Sequence, residues 1–381
     1  MIFVLNCGSQ SIKWKVFGLP GQSHKARAGE NLMLLKQGSV NVSNLNDYQR
    51  ILENELSKVK DFEISLIGHR VVHGGDKYIA PVKITDSVLL ELEKLNHLAP
   101  LHNPYNILGI KACQSVFSEI AQFAVFDTEF FSSLPEYAST YALPEAITKD
   151  FGFKRYGFQG TSHEFVAKKA AQIVKKPFNK LKIITCHLGG GASITAIKNG
   201  KTVDTSMGFT PMEGLVMVTR SGSIDPGIIL ELSGKFSVEK TKELLNSESG
   251  IKGICGANNM LEVLDMIKKG DKKACPESCR RAKLALDIFV YSIKKYIGSY
   301  FAILGGCDIL VFTGSIGSGS AKIRNMICPA KAGSRSRRDK FSDILSKTKI
   351  LAIKTDEELA IAEKICKVKR DLPRITSLHN N

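Results

Sequence analysis

Three strongly apolar segments of this chain each run directly into a polar turn that contains glycine. Residues 2–5 precede the turn 6–9, residues 183–186 precede 187–191, and residues 309–312 precede 313–317. Short apolar runs bounded by turn residues are typical of buried strands. Glycine has no Cβ atom, so backbone N–H groups in such a turn can approach a phosphate closely. One such turn could equally belong to a tight hairpin, but three favour a phosphoryl or nucleotide site held between two halves of the molecule.

The periodicity of the remaining sequence alternates strands with helices in two similar halves. The first half predicts strands at 2–6, 13–17, 64–73 and 121–127, and helices at 46–60, 86–96 and 104–118. The second half predicts strands at 182–187, 192–197 and 201–205, and helices at 161–175, 224–233, 238–246, 278–304 and 356–368. This order predicts an α/β fold with two sheets. Because no low-complexity linker separates the halves, we expect a shared interface with a cleft.

Composition excludes several classes of protein. The 381 residues are 43% hydrophobic and 24% charged, which is typical of a globular chain. Gly305, Gly306 and Asp308 interrupt the longest apolar stretch, 297–314, which argues against a membrane span. Residues 1–5 carry no basic leader, so we expect a first strand and not a signal peptide. The nine scattered cysteines predict reduced thiols and a cytoplasmic protein.

The net charge of +16 raises the question of a nucleic-acid partner. Most of the lysines are spread along the chain, and only residues 331–340 concentrate positive charge. That segment contains no aromatic residue on which a base could stack. We therefore expect no nucleic acid as a partner, and a solvated loop at 331–340, with an anion-docking patch as the alternative.

Three residues stand out as candidates for phosphoryl chemistry. No Walker A motif and no dinucleotide-binding glycine motif is present, so a phosphate site has to be assembled from turns and distant side chains. Arg70 lies on a predicted strand beside a double-glycine turn, and Arg220 lies in a loop before a helix. Arginine matches the geometry of carboxylate and phosphate oxygens, although a structural ion pair is the alternative for each. Asp127 ends an apolar strand, where a carboxylate binds Mg²⁺, serves in catalysis or caps a helix.

Eight ordered motifs, spread over nearly the whole chain, resemble those of the acetate kinase family. They include NCGSQSIK at 6–13, GHRVVHGG at 68–75, APLHNP at 99–104, VFDT at 125–128, YGFQGTSH at 156–163 and CHLGGGAS at 186–193, with further matches at 204–226 and 356–360. The resemblance implies two similar domains of duplicated βββαβαβα topology, ribonuclease H-like as in the actin-like ATPases, with a cleft between them. It also implies an N-terminal domain of 1–131 plus 359–381, and a nucleotide-binding and dimerisation domain of 132–358.

The same resemblance implies an activity, its cofactor and its partners. The chain would be a homodimeric kinase that transfers a phosphoryl group reversibly from ATP to acetate, giving acetyl phosphate and ADP. Mg²⁺ would be the cofactor, with Mn²⁺ as an alternative. The implied metal-binding residues are Asn6, Asp127 and Glu357.

The resemblance also assigns roles residue by residue. The implied catalytic set is Arg70, Asp127, Gln159 and Arg220. The implied substrate-binding set is Arg70, Val72, Leu101, His102, Phe158 and Pro211. The implied nucleotide- and phosphate-binding set is Asn6, Ser9, Ser11, Lys13, His187, Gly189, Gly190, Gly191, Gly314 and Gly317.

The sequence departs from the family pattern on the nucleotide side. Gln159 replaces a histidine that could become a cation, and Gly190 replaces an asparagine. Phe131 replaces a second histidine, and the motif positions 260–262 and 317–319 also differ. The chain is shorter than the family between 323 and 350. The alternatives are therefore a propionate or other short-chain acyl kinase, a pyrophosphate-dependent variant, a weakened paralogue that only binds ligand, and a nucleotide-gated binding protein like actin and Hsp70.

Overall fold

Two β-sheets, each covered by helices, organise the chain. The structure is a computed structural model, and it describes residues 1–19, 32–42, 44–270, 276–329 and 345–371. The chain divides into two units. Unit 1 comprises Met1–Glu129 and Asp356–Asn381, and unit 2 comprises Phe130–Thr355.

Unit 1 contains a mixed sheet with strand order β3-β2-β1-β4-β6-β5. An antiparallel meander, β1 to β3, forms one side, and β4 and β6 extend the sheet parallel to β1. The strands are β1 (Ile2–Cys7), β2 (Ser11–Gly18), β3 (Met33–Asn41), β4 (Leu66–Val71), β5 (Val82–Lys83) and β6 (Gln122–Phe126). The helices are α1 (Tyr48–Ser57), α2 (Asp86–Lys94), α3 (Asn103–Val116) and the last helix, α14 (Glu357–Asp371).

Alternating side chains of β1 build two cores on opposite faces of this sheet. Phe3 and Leu5 face a core with residues of α1 and α3, whereas Ile2 and Val4 face a core with α14. Trp14 of β2 lies in the first core, where its Nε1 donates a hydrogen bond to Glu55 Oε2 at 2.7 Å. The central strand is therefore buried on both sides, which fixes the position of the turn that follows it.

Unit 2 repeats this arrangement with strand order β11-β10-β7-β8-β9. Its meander, β7 to β9, is antiparallel, and β10 and β11 extend the sheet parallel to β7. The strands are β7 (Lys182–Leu188), β8 (Ala192–Lys198), β9 (Lys201–Thr205), β10 (Ile309–Thr313) and β11 (Lys349–Ala352). The helices are α4 (Glu136–Ser139), α5 (Glu145–Phe151), α6 (Gly160–Val174), α7 (Pro226–Lys235), α8 (Val238–Glu243), α9 (Gly250–Cys255), α10 (Met260–Gly270), α11 (Glu277–Leu304), α12 (Gly314–Gly317) and α13 (Ala321–Ile327).

Local sequence explains the main elements of unit 2. The β8–β9 hairpin turns at Asn199-Gly200, both with positive φ, as the tightest hairpin turns require. Helix α11 buries a residue at nearly every third or fourth position, and it ends at Gly305, which adopts the left-handed conformation. Ten of its 28 residues are buried, so one face of this long helix packs into unit 2.

The predicted α/β fold with two sheets is confirmed, and most elements lie within a few residues of their predicted bounds. Nine of the strands and helices given above had not been predicted: β3, β5, β11, α4, α5, α9, α10, α12 and α13. Within the described ranges, no helix is long and apolar enough to cross a membrane, and none of the cysteines there forms a disulfide. The basic segment 331–340 and Cys275 lie outside the described residues.

Candidate active site

The carboxyl ends of the parallel strands in unit 1 bring together three polar side chains. Asn6 is near the end of β1, Arg70 is near the end of β4, and Asp127 directly follows β6. Carboxyl ends of parallel strands meet at one edge of a sheet, where ligands bind in open α/β folds. This edge therefore collects an amide, a cation and an anion that lie far apart in the sequence.

Arg70 is the centre of this cluster. Its Nε and Nη2 donate to Asp127 Oδ2 at 3.0 and 2.5 Å, and its Nη1 donates to Asn6 Oδ1 at 3.3 Å. Burial alone lowers the pKa of Arg70, but the charges of Asp127, Glu357 and Glu358 outweigh it and raise the pKa above its ordinary value. The ion pair considered as the alternative for Arg70 is thus present, and it holds the guanidinium in a fixed orientation.

The second oxygen of Asp127 meets the requirement of a cation site. Oδ1 is buried, and no donor among the described residues reaches it. Mg²⁺ commonly takes one or two protein carboxylates and completes its shell with water and phosphate oxygens. No group of three or more His, Cys, Asp and Glu residues in the described ranges could hold a metal by itself. The donor set therefore fits a cation that is shared with a phosphate ligand.

The start of α14 adds acidic groups to the same cluster. Asn6 Nδ2 donates to Glu357 Oε2 at 3.4 Å and to Glu358 Oε1 at 3.0 Å. Lys15 Nζ pairs with Asp356 Oδ2 at 2.7 Å and lies 3.7 Å from Glu358 Oε2. Carboxylates in the first turn of a helix are stabilised by the helix dipole. Glu357 is consequently held 3.7 Å from Arg70 Nη1, next to the carboxylate of Asp127.

The β1–β2 hairpin presents the remaining phosphate-site candidates of unit 1. Gly8 N donates to Ser11 O at 2.9 Å across the turn, which also contains Ser9. Lys13 lies directly opposite Asn6 in the strand register, and it is exposed. An exposed lysine beside a backbone turn can reach an anion bound over that turn.

Two asparagines of α3 hold the loop that follows β4. Asn103 exchanges hydrogen bonds with both backbone groups of His73, at 3.0 and 3.1 Å. Asn106 Oδ1 accepts from Val72 N at 3.0 Å, and its Nδ2 donates to Cys7 O at 2.6 Å. Val72 is buried, whereas Leu101, just before the helix, is 39% exposed. The predicted acyl-pocket residues of unit 1 therefore lie on segments that α3 fixes, and His102 is the first residue before that helix.

Two of the three glycine turns are neighbours in unit 2, at the ends of the paired strands β7 and β10. Gly314 has φ +76°, and a Cβ there would lie 2.4 Å from Leu188 O. Gly189 N donates to Gly191 O at 3.1 Å, and Gly190 O accepts from Val218 N at 3.3 Å. The turn 189–191 is thereby joined to the loop that contains Arg220.

Gln159 and Arg220 converge on Gly191. A Cβ at Gly191 would lie 3.5 Å from Gln159 Nε2 and 3.7 Å from Arg220 Nη1. Arg220 Nη1 also donates to Pro211 O at 3.3 Å. Burial lowers the pKa of Arg220 to about 10, so the guanidinium stays protonated near neutral pH. Phe158, the residue before Gln159, is 1% exposed.

Hydrogen bonds extend from Gln159 into the core of unit 2. Ser193 Oγ donates to Gln159 Oε1 at 2.6 Å and lies 2.7 Å from His163 Nε2. His163 Nδ1 lies 2.7 Å from Thr185 Oγ1. His187 Nδ1 makes a separate contact of 2.7 Å with Ser162 Oγ. Both histidines of unit 2 therefore contact side-chain hydroxyls, and we name the set Thr185, His163, Ser193 and Gln159 the relay.

Comparison with known proteins assigns the chain to a family. The acetokinase family model matches residues 1–363. The acetate kinase of Dictyoglomus turgidum is 40% identical over an alignment covering 96% of this chain and 97% of that protein, and the one from Sulfurovum is 42% identical over 94% and 96%. The chain belongs to the acetokinase family. It is therefore a phosphotransferase, and the predicted resemblance is confirmed.

Solved structures of the acetokinase family have the same fold. A crystal structure of acetate kinase from Porphyromonas gingivalis is 36% identical with a TM-score of 0.78, and it covers 97% of this chain and 99% of that one. A propionate kinase from Francisella tularensis is 38% identical with a TM-score of 0.78, covering 95% and 98%. The duplicated two-domain α/β architecture predicted from the resemblance is thus confirmed.

Two departures from the acetokinase pattern, at 260–262 and at 317–319, take part in local structure. Glu262 Oε2 accepts from Asn258 N at 2.8 Å, and Glu262 N donates to Asn259 Oδ1 at 3.0 Å, which caps the start of α10. The neighbouring Leu261 is 78% exposed. At 317–319, the backbone oxygens of Gly317 and Ser318 accept from Arg324 Nη1, both at 2.8 Å. These positions are therefore engaged in local structure.

Sequence reasoning missed the residues that hold the site together. Asn103 and Asn106 lie in or next to the APLHNP motif, but only the structure shows that they bind the backbone after β4 and at the last residue of β1. Ser193 ends the CHLGGGAS motif, and nothing in that motif connects it with Gln159. The one available signal was that the motifs at 156–163 and 186–193 both combine polar side chains with glycines.

Proposed function

We propose that the chain catalyses the Mg²⁺-dependent, reversible transfer of a phosphoryl group from ATP to the carboxylate of acetate, forming acetyl phosphate and ADP. A carboxylate oxygen of acetate attacks the terminal phosphorus in line with the bond to ADP, which breaks as the new P–O bond forms. The cluster of Asn6, Arg70 and Asp127, with its buried Asp127 Oδ1, carries this proposal. It combines a fixed guanidinium with a carboxylate oxygen suited to a cation.

Unit 1 supplies the groups that hold acetate and the metal. Arg70 binds the carboxylate of acetate, and Val72 and Leu101 receive its methyl group, with His102 beside them. Asp127, Asn6 and Glu357 hold Mg²⁺, and Mn²⁺ is an alternative. When bound, the cation neutralises charge on the phosphate oxygens. Ser9, Ser11 and Lys13 bind the transferred phosphate.

Unit 2 supplies the groups that bind the nucleotide and stabilise the transition state. Arg220 and Gln159 donate to the equatorial oxygens of the transferred phosphoryl group, since both nitrogens lie within 3.7 Å of the position that a Cβ at Gly191 would take. The turn 189–191, with His187, Gly314 and Gly317, lines the path of the polyphosphate. Phe158 and Pro211 are the acyl-binding residues that the proposal takes from unit 2.

No general base is needed for this reaction. A carboxylic acid with an ordinary pKa is already ionised at neutral pH, so acetate is a nucleophile as it binds. Catalysis is then positioning of the two reactants and neutralisation of negative charge. This accounts for a cluster that is rich in cations and amides.

Propionate is the second candidate acceptor. The structure of a propionate kinase is as similar to this chain as that of an acetate kinase. A methylene group in an apolar pocket changes the transition-state free energy by only ~1–3 kcal/mol. Propionate is therefore expected as a poorer substrate and not as an excluded one.

A homodimer is also part of the proposal. None of the ten residues of α7 is buried, although Ile228 and Leu230 are large and apolar, with exposures of 48% and 74%. Phe236 and Val238 extend this surface at the start of α8, with exposures of 48% and 53%. An apolar surface of this extent favours contact with another protein chain. We propose that it pairs with the same surface of a second copy, in the cytoplasm.

The test is acyl phosphate formation, trapped as the hydroxamate, from acetate or propionate with Mg²⁺ and ATP, GTP or pyrophosphate. Product with ATP and acetate supports the proposal. Product with pyrophosphate alone would contradict the nucleotide donor and would explain the changes at 260–262 and 317–319. Absence of product with every donor, with some product from Gln159→His, would identify a weakened paralogue.

A further inference from the structure

The orientation of one amide group determines whether Gln159 attracts or repels a phosphate. An amide has a donor end and an acceptor end, and only the Nε2 end can bind a phosphoryl oxygen. The inference below rests on the proposed function and concerns how that end is selected. Gln159, which replaces a histidine of the family pattern, is linked by hydrogen bonds to buried polar groups that the proposed reaction does not use.

Every bond of the relay has a direction that can be deduced. Ser193 Oγ donates to Gln159 Oε1, so its hydroxyl has to accept from the other neighbour, His163 Nε2. Burial, followed by the charge of His187, lowers the pKa of His163 well below its usual range, so the ring is neutral. A neutral imidazole with its proton on Nε2 accepts at Nδ1, and Thr185 Oγ1 therefore donates to it.

All of these protons point from the core toward Gln159. The amide oxygen accepts from Ser193, and a Cβ at Gly191 would lie 3.5 Å from the amide nitrogen and 3.7 Å from Arg220 Nη1. If each hydrogen bond of the relay had the opposite direction, Gln159 would donate to Ser193 and its oxygen would face the phosphate. A bound anion beside Arg220 disfavours that state, because the outward oxygen would repel it.

Phe131, which also departs from the family pattern, shields the relay from water. Phe131 packs edge-on against the ring of His163, with centroids 6.2 Å apart, and both residues are buried. Ser193, Thr185 and His163 are all fully buried as well. In such surroundings a hydrogen bond is electrostatically stronger, and a missing partner costs more, than in water. Phe131 therefore keeps water from competing with the relay.

We propose that Thr185, His163 and Ser193 are positioning residues that hold Gln159 with its Nε2 group directed at the transferred phosphoryl group. Through this fixed donor, glutamine takes over the contact that a histidine makes in the family pattern. The neutral amide does so without an ionisation of its own between pH 5 and 8. Gln159 is the catalytic residue, and the other three act through it.

A double-mutant cycle tests the proposal. We expect Ser193→Ala to lower kcat by about 10- to 100-fold, as loss of a partner that orients a functional side chain does elsewhere, with the KM for acetate unchanged. In a Gln159→Ala background, Ser193→Ala should have almost no further effect, because it has no amide left to orient. Thr195→Val is the matched control, since Thr195 lies two residues along β8 and its buried hydroxyl contacts Thr205 instead.

Two outcomes would overturn the proposal. The first is a Ser193→Ala variant that has a lower melting temperature but an unchanged kcat. The second is a fall in kcat on Ser193→Ala that is equally large in the unaltered chain and in the Gln159→Ala variant. If the unaltered protein forms no acyl phosphate, the proposed function fails. The same cycle measured on ATP affinity by calorimetry still decides the role of the relay, because an oriented donor contributes to phosphate binding as well.

Discussion

At the scale of single residues, the site is built from charged groups that are paired before any ligand arrives. Arg70 is bound by Asp127 and Asn6, and Asn6 in turn binds Glu357 and Glu358. Such contacts leave the side chains few alternative rotamers, so little entropy remains to be lost when a substrate binds. Removing one member should therefore affect both the ligand and the remaining members.

Asp127→Asn tests the metal-binding role of the buried carboxylate. We expect kcat to fall by about 100-fold or more, because the variant loses the charge that holds the cation and balances Arg70. The half-saturating concentration of Mg²⁺ should rise as well, which initial rates across a Mg²⁺ series would reveal. Asp47→Asn is the control, since it breaks an exposed pair with Arg50. An unchanged Mg²⁺ requirement would contradict the assignment.

His69 makes a specific contribution to the pH dependence of stability. Burial lowers its pKa to about 4, and its Nε2 contacts Gln122 Oε1 at 2.7 Å. The unfolded chain, with a histidine pKa near ~6.5, binds more protons than the folded chain between these two values. Stability is thus fully present above pH ~6.5 and is lost as the pH falls toward 4, by up to about 3 kcal/mol.

Denaturant unfolding at several pH values measures this contribution. A His69→Gln variant should lose less free energy of unfolding than the unaltered chain between pH 7 and 4. His97→Gln, which changes an exposed histidine, should behave as the unaltered chain does. If the free energy of unfolding depended on pH in the same way in all three proteins, the role of His69 would be excluded.

At the scale of secondary structure, most elements could be predicted because the central strands of the two sheets are buried on both faces. Strands β1, β7 and β10 are continuous apolar runs, and the amphipathic helices have clear periodicity. Strand β3 was missed because it is an edge strand whose Met33, Leu34 and Leu35 are exposed, so it shows no alternation. The contacts between elements could not be predicted, since the relay joins residues of three segments and Arg70 joins two strands with a helix.

The turn between β10 and α12 makes a prediction at this scale. Gly314→Ala would force a Cβ against Leu188 O in a left-handed backbone conformation, at a cost of about 1–3 kcal/mol. We expect a lower melting temperature and weaker ATP binding. The control is Gly298→Ala in the middle of α11, where a Cβ would meet nothing within 4 Å. That variant should be stabilised by up to about 1 kcal/mol, and equal melting of the two variants would contradict the argument.

At the scale of the whole molecule, a repeated architecture carries two different sets of groups. Both sheets have a meander extended by parallel strands, and in both some candidate residues lie at the carboxyl ends of those strands: Asn6, Arg70 and Asp127 in unit 1, and the glycine turns after β7 and β10 in unit 2. Unit 1 presents a carboxylate-rich cluster, whereas unit 2 presents glycine turns with Gln159 and Arg220. In the proposal above, the first copy of the fold holds the metal and the carboxylate of acetate, and the second copy holds the polyphosphate.

The apolar surface of α7 predicts the oligomeric state. The chain should run as a dimer in multi-angle light scattering, and Leu230→Glu should shift it to the monomer, because a buried unpaired charge opposes association. Leu90→Glu is the control, since Leu90 is similarly exposed, at 60%, on α2 of unit 1. A monomeric unaltered chain, or a dimer that tolerates Leu230→Glu, would contradict this interface.

Trp14, which is buried and donates a hydrogen bond to Glu55, can serve as an intrinsic fluorescent reporter. Trp14 is the only tryptophan in the chain, so selectively excited emission comes from one known position in unit 1. Its register partner is Leu5, next to Asn6, and its chain neighbours are Lys13 and Lys15. Ligands that reorganise this hairpin should change the emission maximum or the intensity of the Trp14 fluorescence. The protein therefore contains its own fluorescent probe, which needs no label and reports on unit 1.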